Sequence, residues 1–297
     1  MRGVVAVLGN FDGVHLGHRA VLRRGLEVAR ERGVELVAAT FDPHPRAVLW
    51  PGDEPKLLTS LDLRREELVR QGVGEVYAIH FDRALSKKTP EEFVRDVLVG
   101  EIGARIVVVG ENFRFGHRAS GDFGDLKRLM REAWGDAFAV SLQNTSGAEI
   151  TSTRIRALIA AGDVGEASRL LGRPYVLRGE VIEGDRRGRT IGFPTANVLP
   201  DPTVIVPARG VYAGFVRIDG KEYAACTNIG VAPTFDRAES RVEAHLLDFE
   251  GDLYGKTADV SFVRRIREEK RFSGVEELRE QIARDVEEAR KITDHTI

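Results

Sequence analysis

Three nearly unbroken apolar runs restrict what this chain can fold into: Val4-Val5-Ala6-Val7-Leu8, Leu36-Val37-Ala38-Ala39-Thr40-Phe41 and Ile106-Val107-Val108-Val109. None alternates with polar residues, so each suits a strand buried on both faces of a parallel sheet. Helical spacing separates them. Leu22, Leu26 and Ala29 precede a stop at Gly33, and Thr59 to Gln71 is closed by Gly72 and Gly74. Thr89-Pro90-Glu91-Glu92 opens a further helix with a capping box and proline at its first position. Val76 to Phe81 and Phe138 to Val140 predict two more strands, and Asp125 to Trp134 a helix. Such alternation builds a parallel sheet with helices on both faces, and ligands bind beyond the carboxyl ends of its strands. The turns after Leu8, Phe41 and Val109 all fall there.

The first of these turns, Gly9-Asn10-Phe11-Asp12-Gly13-Val14-His15-Leu16-Gly17-His18, leads from strand to helix. Unpaired N–H groups and the helix dipole at such a point favour an anion. Glycines at 9, 13 and 17 admit a ligand close to the backbone. His15 and His18, three apart, face the same side of the first helical turn and can donate to phosphate oxygens. Two histidines alone are too few for a zinc site. Asp12 suits either a helix N-cap or a ligand contact. Further on, Thr151-Ser152-Thr153 is N-cap material, but Arg154 and Arg156 stand in the first helical turn, where the dipole disfavours cations unless an anion is near. A triphosphate fits. His80, His117 and His245 read as ordinary surface or strand histidines.

Around Gly172-Arg173-Pro174-Tyr175 the helical pattern gives way to short alternating strands. Val211 to Ile218 and Glu222 to Asn228 flank Asp219-Gly220, a hairpin signal. Val242, Ala244 and Leu246 alternate with Glu243 and His245, as in a small antiparallel barrel. A long helix ends the chain, with Ser273 and Glu276 as its capping box and Val275, Leu278, Ile282, Val286 and Ala289 as its apolar stripe. The pattern thus predicts two domains, 1–172 and 173–297: an α/β parallel-sheet domain of Rossmann-like type, then an antiparallel β-barrel with a C-terminal helix. Forty-four basic against 46 acidic residues leave a net charge of −2, so no global field points to nucleic acid. The single cysteine, Cys226, cannot form an intramolecular disulfide, and no run of eighteen apolar residues suggests a membrane span. A cytoplasmic location is expected.

With these residues in view, the chain resembles the prokaryotic bifunctional FAD synthetases, which join FMN adenylyltransferase and riboflavin kinase activities. Gly9 to His18, Thr40-Phe41-Asp42-Pro43-His44-Pro45, Gly110 to Gly116 and Ser152 to Arg156 match the nucleotidyltransferase motifs in order. Gly192-Phe193-Pro194-Thr195-Ala196-Asn197 matches the flavokinase motif, followed by Asn228-Ile229-Gly230, Pro233-Thr234-Phe235 and Val242 to Phe249. Departures are slight: Thr151 stands where serine is usual and Asn112 where aspartate is common.

The resemblance implies that FMN's phosphate attacks the α-phosphorus of ATP and expels pyrophosphate. A phosphate monoester, with a second pKa of about 6, is already ionised and needs no protein base. His15, His18 and Arg156 would then stabilise charge, while Gly9, Asn10, Phe11, Asp12, Gly17, Asp42, Asn112, Ser152 and Thr153 hold nucleotide and FMN. Riboflavin's hydroxyl does need a base, and the implied one is Glu243. Thr195 and Asn197 would hold Mg²⁺ and the terminal phosphates of ATP. Gly184, Gly188 and Gly192, with Arg186, Arg187 and Arg189, would form a basic flap. Expected partners are small molecules (riboflavin, FMN, ATP) and apo-flavoproteins that receive FAD, with neither nucleic acid nor membrane. The weighed rivals are a nucleotidyltransferase for another substrate and a flavin-binding protein with inactive sites.

Overall fold

In the computed structural model, described for residues 3–141, 150–184, 192–234 and 237–296, the apolar runs lie side by side. β1 (Val4–Leu8), β2 (Leu36–Asp42), β3 (Glu75–His80), β4 (Ala104–Gly110) and β5 (Asp136–Val140) form one sheet in the order β3-β2-β1-β4-β5. Every neighbouring pair is parallel. The lack of alternation has its expected cause. Ala6 and Leu8 enter one core, with Phe93, Leu126 and Met130, while Val5 and Val7 enter the other, with Val21, Leu22 and Leu68.

Helices supply both layers. α1 (Leu16–Arg32) ends at Gly33, whose left-handed conformation (φ 64°) closes it as its position predicts. α2 (Pro45–Leu49) and α3 (Leu61–Arg70) follow β2. The capping box at Thr89 forms, and its helix, α4 (Pro90–Glu92), continues as a π-helical stretch, Phe93–Glu101. α5 (Phe123–Glu132) starts earlier than its apolar pattern predicts, because Asp122 and Asp125 make a capping box there. The strand order changes direction beside β1, so the turns after β1 and β4 border the switch point where such sheets bind ligands.

The second half closes into a barrel, β10-β7-β6-β11-β8-β9, with every pair antiparallel. Its strands are β6 (Tyr175–Ile182), β7 (Ala196–Pro200), β8 (Gly210–Ile218), β9 (Lys221–Thr234), β10 (Arg237–Leu246) and β11 (Thr257–Arg267). The Asp219-Gly220 hairpin joins β8 to β9, with positive φ at both residues. Leu177, Val216, Ala225, Val242, Ala244, Val260 and Phe262 are fully buried. The final helix, numbered α8 here (Val275–Asp294) after α6 (Ser152–Ala161) and α7 (Val164–Leu171), packs Ala289 and Ile292 on Val211, Ala213 and Cys226.

Its start differs from the expected one. Gly274 is the N-cap, and the Ser273 backbone N–H and hydroxyl both donate to Glu277, at 2.9 and 2.6 Å, rather than to Glu276. Val275 is exposed, so the buried stripe begins further along the helix.

By internal contacts, Met1–Pro55 with Leu61–Ser152 form one unit, and Lys56–Ser60 with Thr153–Ile297 the other. Compactness therefore divides the chain after Ser152, whereas the sequence pattern changes at 172/173. The reason is packing: α7 rests on β6 and β11, and Ala208 N–H donates to Ile159 O at 3.2 Å. The short segment 56–60 lies along the barrel unit, where Leu57 N–H donates to Thr203 O at 2.7 Å and Leu57 O accepts from Ile205 N–H at 2.9 Å.

Candidate functional site

The turn after β1 is strained. Phe11 (φ 47°) and the β-branched Val14 (φ 42°) adopt left-handed conformations, each costing on the order of 1–3 kcal/mol. The surroundings enforce them. Both side chains are buried, Thr40 Oγ1 donates to Asn10 O at 2.9 Å, and Arg19 Nε donates to Val14 O at 3.3 Å. Ser152 Oγ donates to Asp12 O at 2.9 Å, which brings the serine of the fourth motif onto the first.

His15, not Asp12, is the N-cap of α1, its Nδ1 accepting from His18 N–H at 3.3 Å. That bond places the ring proton of His15 on Nε2. The two imidazoles stack with centroids 3.6 Å apart, and Phe11 meets His18 edge-on at 5.3 Å. A Cβ on Gly17 would fall 3.2 Å from the His15 ring and 3.4 Å from Ile150 O, so glycine there keeps the rings in place. Among the described residues, the buried His18 Nδ1 has no hydrogen-bond partner. Burial, the adjacent His15 and the nearby Arg64 hold the His18 imidazole well below its ordinary pKa, in the neutral form.

Asp12 (1% exposed), His15 (4%), Thr40 (0%) and Arg64 (2%) make a buried polar set in this unit. Asp42 closes β2 and Asn112 follows β4, both exposed and at the strand ends as predicted. Asn10 Nδ2 lies 3.5 Å from His44 Nε2, so the first two motifs adjoin. Of the fourth motif, Ser152 groups with the histidine turn, while Thr153 and Arg156 group with the second unit, where Arg156 Nη1 donates to Thr153 Oγ1 at 3.4 Å. Sequence reasoning missed Arg64. Its signal was an arginine four residues before Leu68, on the apolar face that Leu63 and Leu68 define.

In the barrel, β7 and β10 pair so that Asn197 lies opposite Glu243. Arg241 Nε lies 3.2 Å from both Glu243 Oε1 and Asn197 Oδ1. A cavity of about 610 Å³ opens beside them, lined by Gly184, Thr195, Asn197, Phe249, Asp252 and Tyr254 among others. Glu243 is on the strand next to this cavity rather than on its wall. A Cβ on Gly184 would fall 2.2 Å from Asn197 Nδ2, so only glycine lets the end of β6 pass that amide. His245, read from sequence as ordinary, pins the flavokinase loop: its Nδ1 is 2.8 Å from Pro194 O and its ring meets Phe193. The cavity wall 249–254 and Arg241 were also missed. Arg241 was legible as the residue two before Glu243, on the same strand face. Gly192 has φ 88°, while Gly188, Arg186, Arg187 and Arg189 of the expected flap, and Phe235, lie outside the described residues. Burial pushes the Cys226 thiol up to about 12, which removes it as a nucleophile.

A parallel sheet with a strained histidine turn at its switch point, joined to a barrel with a polar cavity, defines a class: two-domain, nucleotide-dependent transferases. The sequence model of the FAD synthetase family matches residues 1–154, and that of riboflavin kinase matches 171–293. Bifunctional riboflavin kinase/FMN adenylyltransferases from Listeria monocytogenes and Bacillus subtilis are 37% and 38% identical, each over 96% of this chain and 91% of the relative. A Streptococcus pneumoniae crystal structure described as a macrolide-efflux protein superposes with a TM-score of 0.88 at 36% identity, over 97% of this chain and 94% of that one. The chain belongs to the family of bifunctional riboflavin kinase/FMN adenylyltransferases, with the FAD synthetase part N-terminal and the flavokinase part C-terminal.

Proposed function

We propose that adenylyl transfer from ATP to FMN takes place at the His15–His18 turn, and phosphoryl transfer from ATP to riboflavin at the Glu243–Asn197 pair. The observation that carries the first half is His18, whose buried Nδ1 lacks a partner among the described residues, beside a strained turn closed by Ser152. FMN's phosphate brings its own negative charge, so the chain's task is to align two anions and stabilise the charge that develops. His15 Nε2–H and His18 donate to the phosphates, and Gly17 leaves them room. Gly9, Asn10, Phe11 and Asp12 shape the nucleotide side, with Asp42 and Asn112 orienting FMN from the strand ends. Ser152, Thr153 and Arg156 hold the β- and γ-phosphates that leave as pyrophosphate. This reading assigns residues 1–172 to adenylyl transfer and 173–297 to the kinase.

In the barrel, Glu243 takes the proton of riboflavin's primary hydroxyl as its oxygen attacks the γ-phosphorus, and ADP leaves. Arg241 fixes the direction of that carboxylate and of Asn197 together. Thr195 and Asn197 offer neutral oxygen donors, and the wall adds Asp252, a set that fits Mg²⁺, which keeps most of its waters. Bound there, Mg²⁺ would neutralise phosphate charge. Gly184 and Gly192 border the ATP site. The efflux attributed to the Streptococcus pneumoniae protein is not carried over: among the described residues no helix is long and apolar enough to cross a membrane. We place the enzyme in the cytoplasm, passing FAD to apo-flavoproteins.

Incubation with riboflavin, ATP and Mg²⁺, with flavins resolved over time, should give FMN first and FAD second. His18→Ala should stop at FMN. Glu243→Gln should leave riboflavin unchanged yet adenylylate supplied FMN; wild-type riboflavin phosphorylation by this variant would remove the base assignment.

A further inference from the structure

An arginine is seldom fully buried unless its charge is used. Arg64, on α3 and outside every motif of the sequence, is 2% exposed. Its Nη1 donates to Thr40 Oγ1 at 3.2 Å and reaches Phe41 O at 3.5 Å. Thr40 Oγ1 in turn donates to Asn10 O at 2.9 Å. One guanidinium is thereby tied to the end of β2 and, through a single hydroxyl, to the strained turn after β1. Burial lowers the arginine's pKa, while Asp12 from that turn and Asp42 from the end of β2 oppose the drop. Its charge also acts on His18.

We infer that Arg64 is a positioning residue for adenylyl transfer: it sets the spacing of the Asn10–His18 and Phe41–Asp42 turns and holds a buried positive charge beside the histidines, where the nucleotide's phosphates dock. This rests on the assignment of adenylyl transfer to the histidine turn. Two effects follow from the one side chain. Nη1 alone reaches both Thr40 and Phe41, and the rigid planar guanidinium fixes that nitrogen, whereas a lysine ammonium moves on a flexible stem. The charge acts at short range in a site that excludes water, where it is worth more than at the surface.

The two effects separate in Arg64→Lys and Arg64→Met, assayed in the full chain for FAD formation from FMN, with riboflavin phosphorylation as internal control. His18 is titrated by NMR in the free protein. Arg64→Met should lower kcat for FAD formation about a hundredfold, as loss of a preorganised charge-stabilising group does. It should also move the His18 titration upward, because one of the three influences holding it down is gone. Arg64→Lys should keep the titration low while lowering kcat about tenfold through lost alignment. Riboflavin phosphorylation should be unchanged in both. A purely structural role would change activity without moving the His18 titration in this charge-dependent way, so an unmoved titration in a folded Arg64→Met protein overturns the proposal. FAD formation within about twofold of wild type in Arg64→Lys also overturns it, and that variant decides alone where Arg64→Met does not fold. His18→Ala keeps the two questions apart: full FAD formation by that variant would overturn the site assignment itself, whatever Arg64 does.

Discussion

His18 shows how far one side chain's environment decides its role. Neutral and stacked on His15, it favours binding an anion together with a proton. An anion beside it raises its pKa, so the complex holds more protons than the free protein and binding tightens as pH falls. Sulfate, which does not titrate near neutrality, should therefore bind more tightly as pH drops into and below the ordinary imidazole range, and His18→Ala should abolish this dependence; calorimetry measures both. Without the anion the sign reverses for stability. The unfolded imidazole takes up its proton first, so acid below the same range weakens this unit. The histidines, Asn197 and Glu243 could be proposed from the sequence because motif and spacing name them. Arg64 could not be, because its place beside the histidines rests on a contact with Thr40, 24 residues away along the sequence. Of the two roles open to Asp12, that of N-cap falls to His15 for a local reason: His15 Nδ1 reaches the His18 N–H, while the Asp12 carbonyl accepts from Ser152.

Among the elements, α8 is fixed to the barrel by an ion pair as well as by apolar packing. Arg267 on β11 grips Asp285 with Nε at 2.9 Å from both oxygens and Nη2 at 2.6 Å from one, and Gln281 adds a bond at 2.8 Å. The Asp285 side chain is 3% exposed and that of Arg267 14%. Removing one partner of such a pair leaves a buried charge uncompensated, a loss of about 3–5 kcal/mol. Asp285→Ala should therefore lower the barrel's stability by that order in urea unfolding, while Val275→Ala, at the exposed start of α8, should change it little. Helical periodicity located this helix but gave it Ser273–Glu276 as its start. A capping box names two residue types at a spacing, and Glu276 and Glu277 both offer the right carboxylate. The five parallel strands were legible because their apolar runs reflect burial on two faces, and the barrel because its hairpin has the correct turn residues. Strand order and barrel closure depend on long-range pairing, which periodicity does not encode.

For the whole molecule, two different sites must act in series, since the product of one is the substrate of the other. On the proposed assignment Glu243→Gln and His18→Ala proteins each lack one step, so mixing them should restore conversion of riboflavin to FAD through FMN released into solution. Chromatography of the flavins would register this, and no FAD from the mixture would mean that free FMN does not connect the steps. The two-part plan was legible in the change of pattern near residue 173. The membership of segment 56–60 was not, because the bonds that tie it there, two from the Leu57 backbone and one from Lys56 Nζ to Pro202 O at 2.5 Å, follow no periodic pattern.

That small segment has a consequence for taking the enzyme apart. Its residues are encoded in the first half but complete the second, so no single cut yields two whole pieces. A fragment of residues 153–297 leaves Thr203 O and Ile205 N–H without the partner that Leu57 provides. Such a fragment should melt below the same unit in the intact chain, and a peptide spanning 56–60 added in trans should recover part of the difference. Genetic dissection of the two activities is therefore better done by point substitution than by truncation.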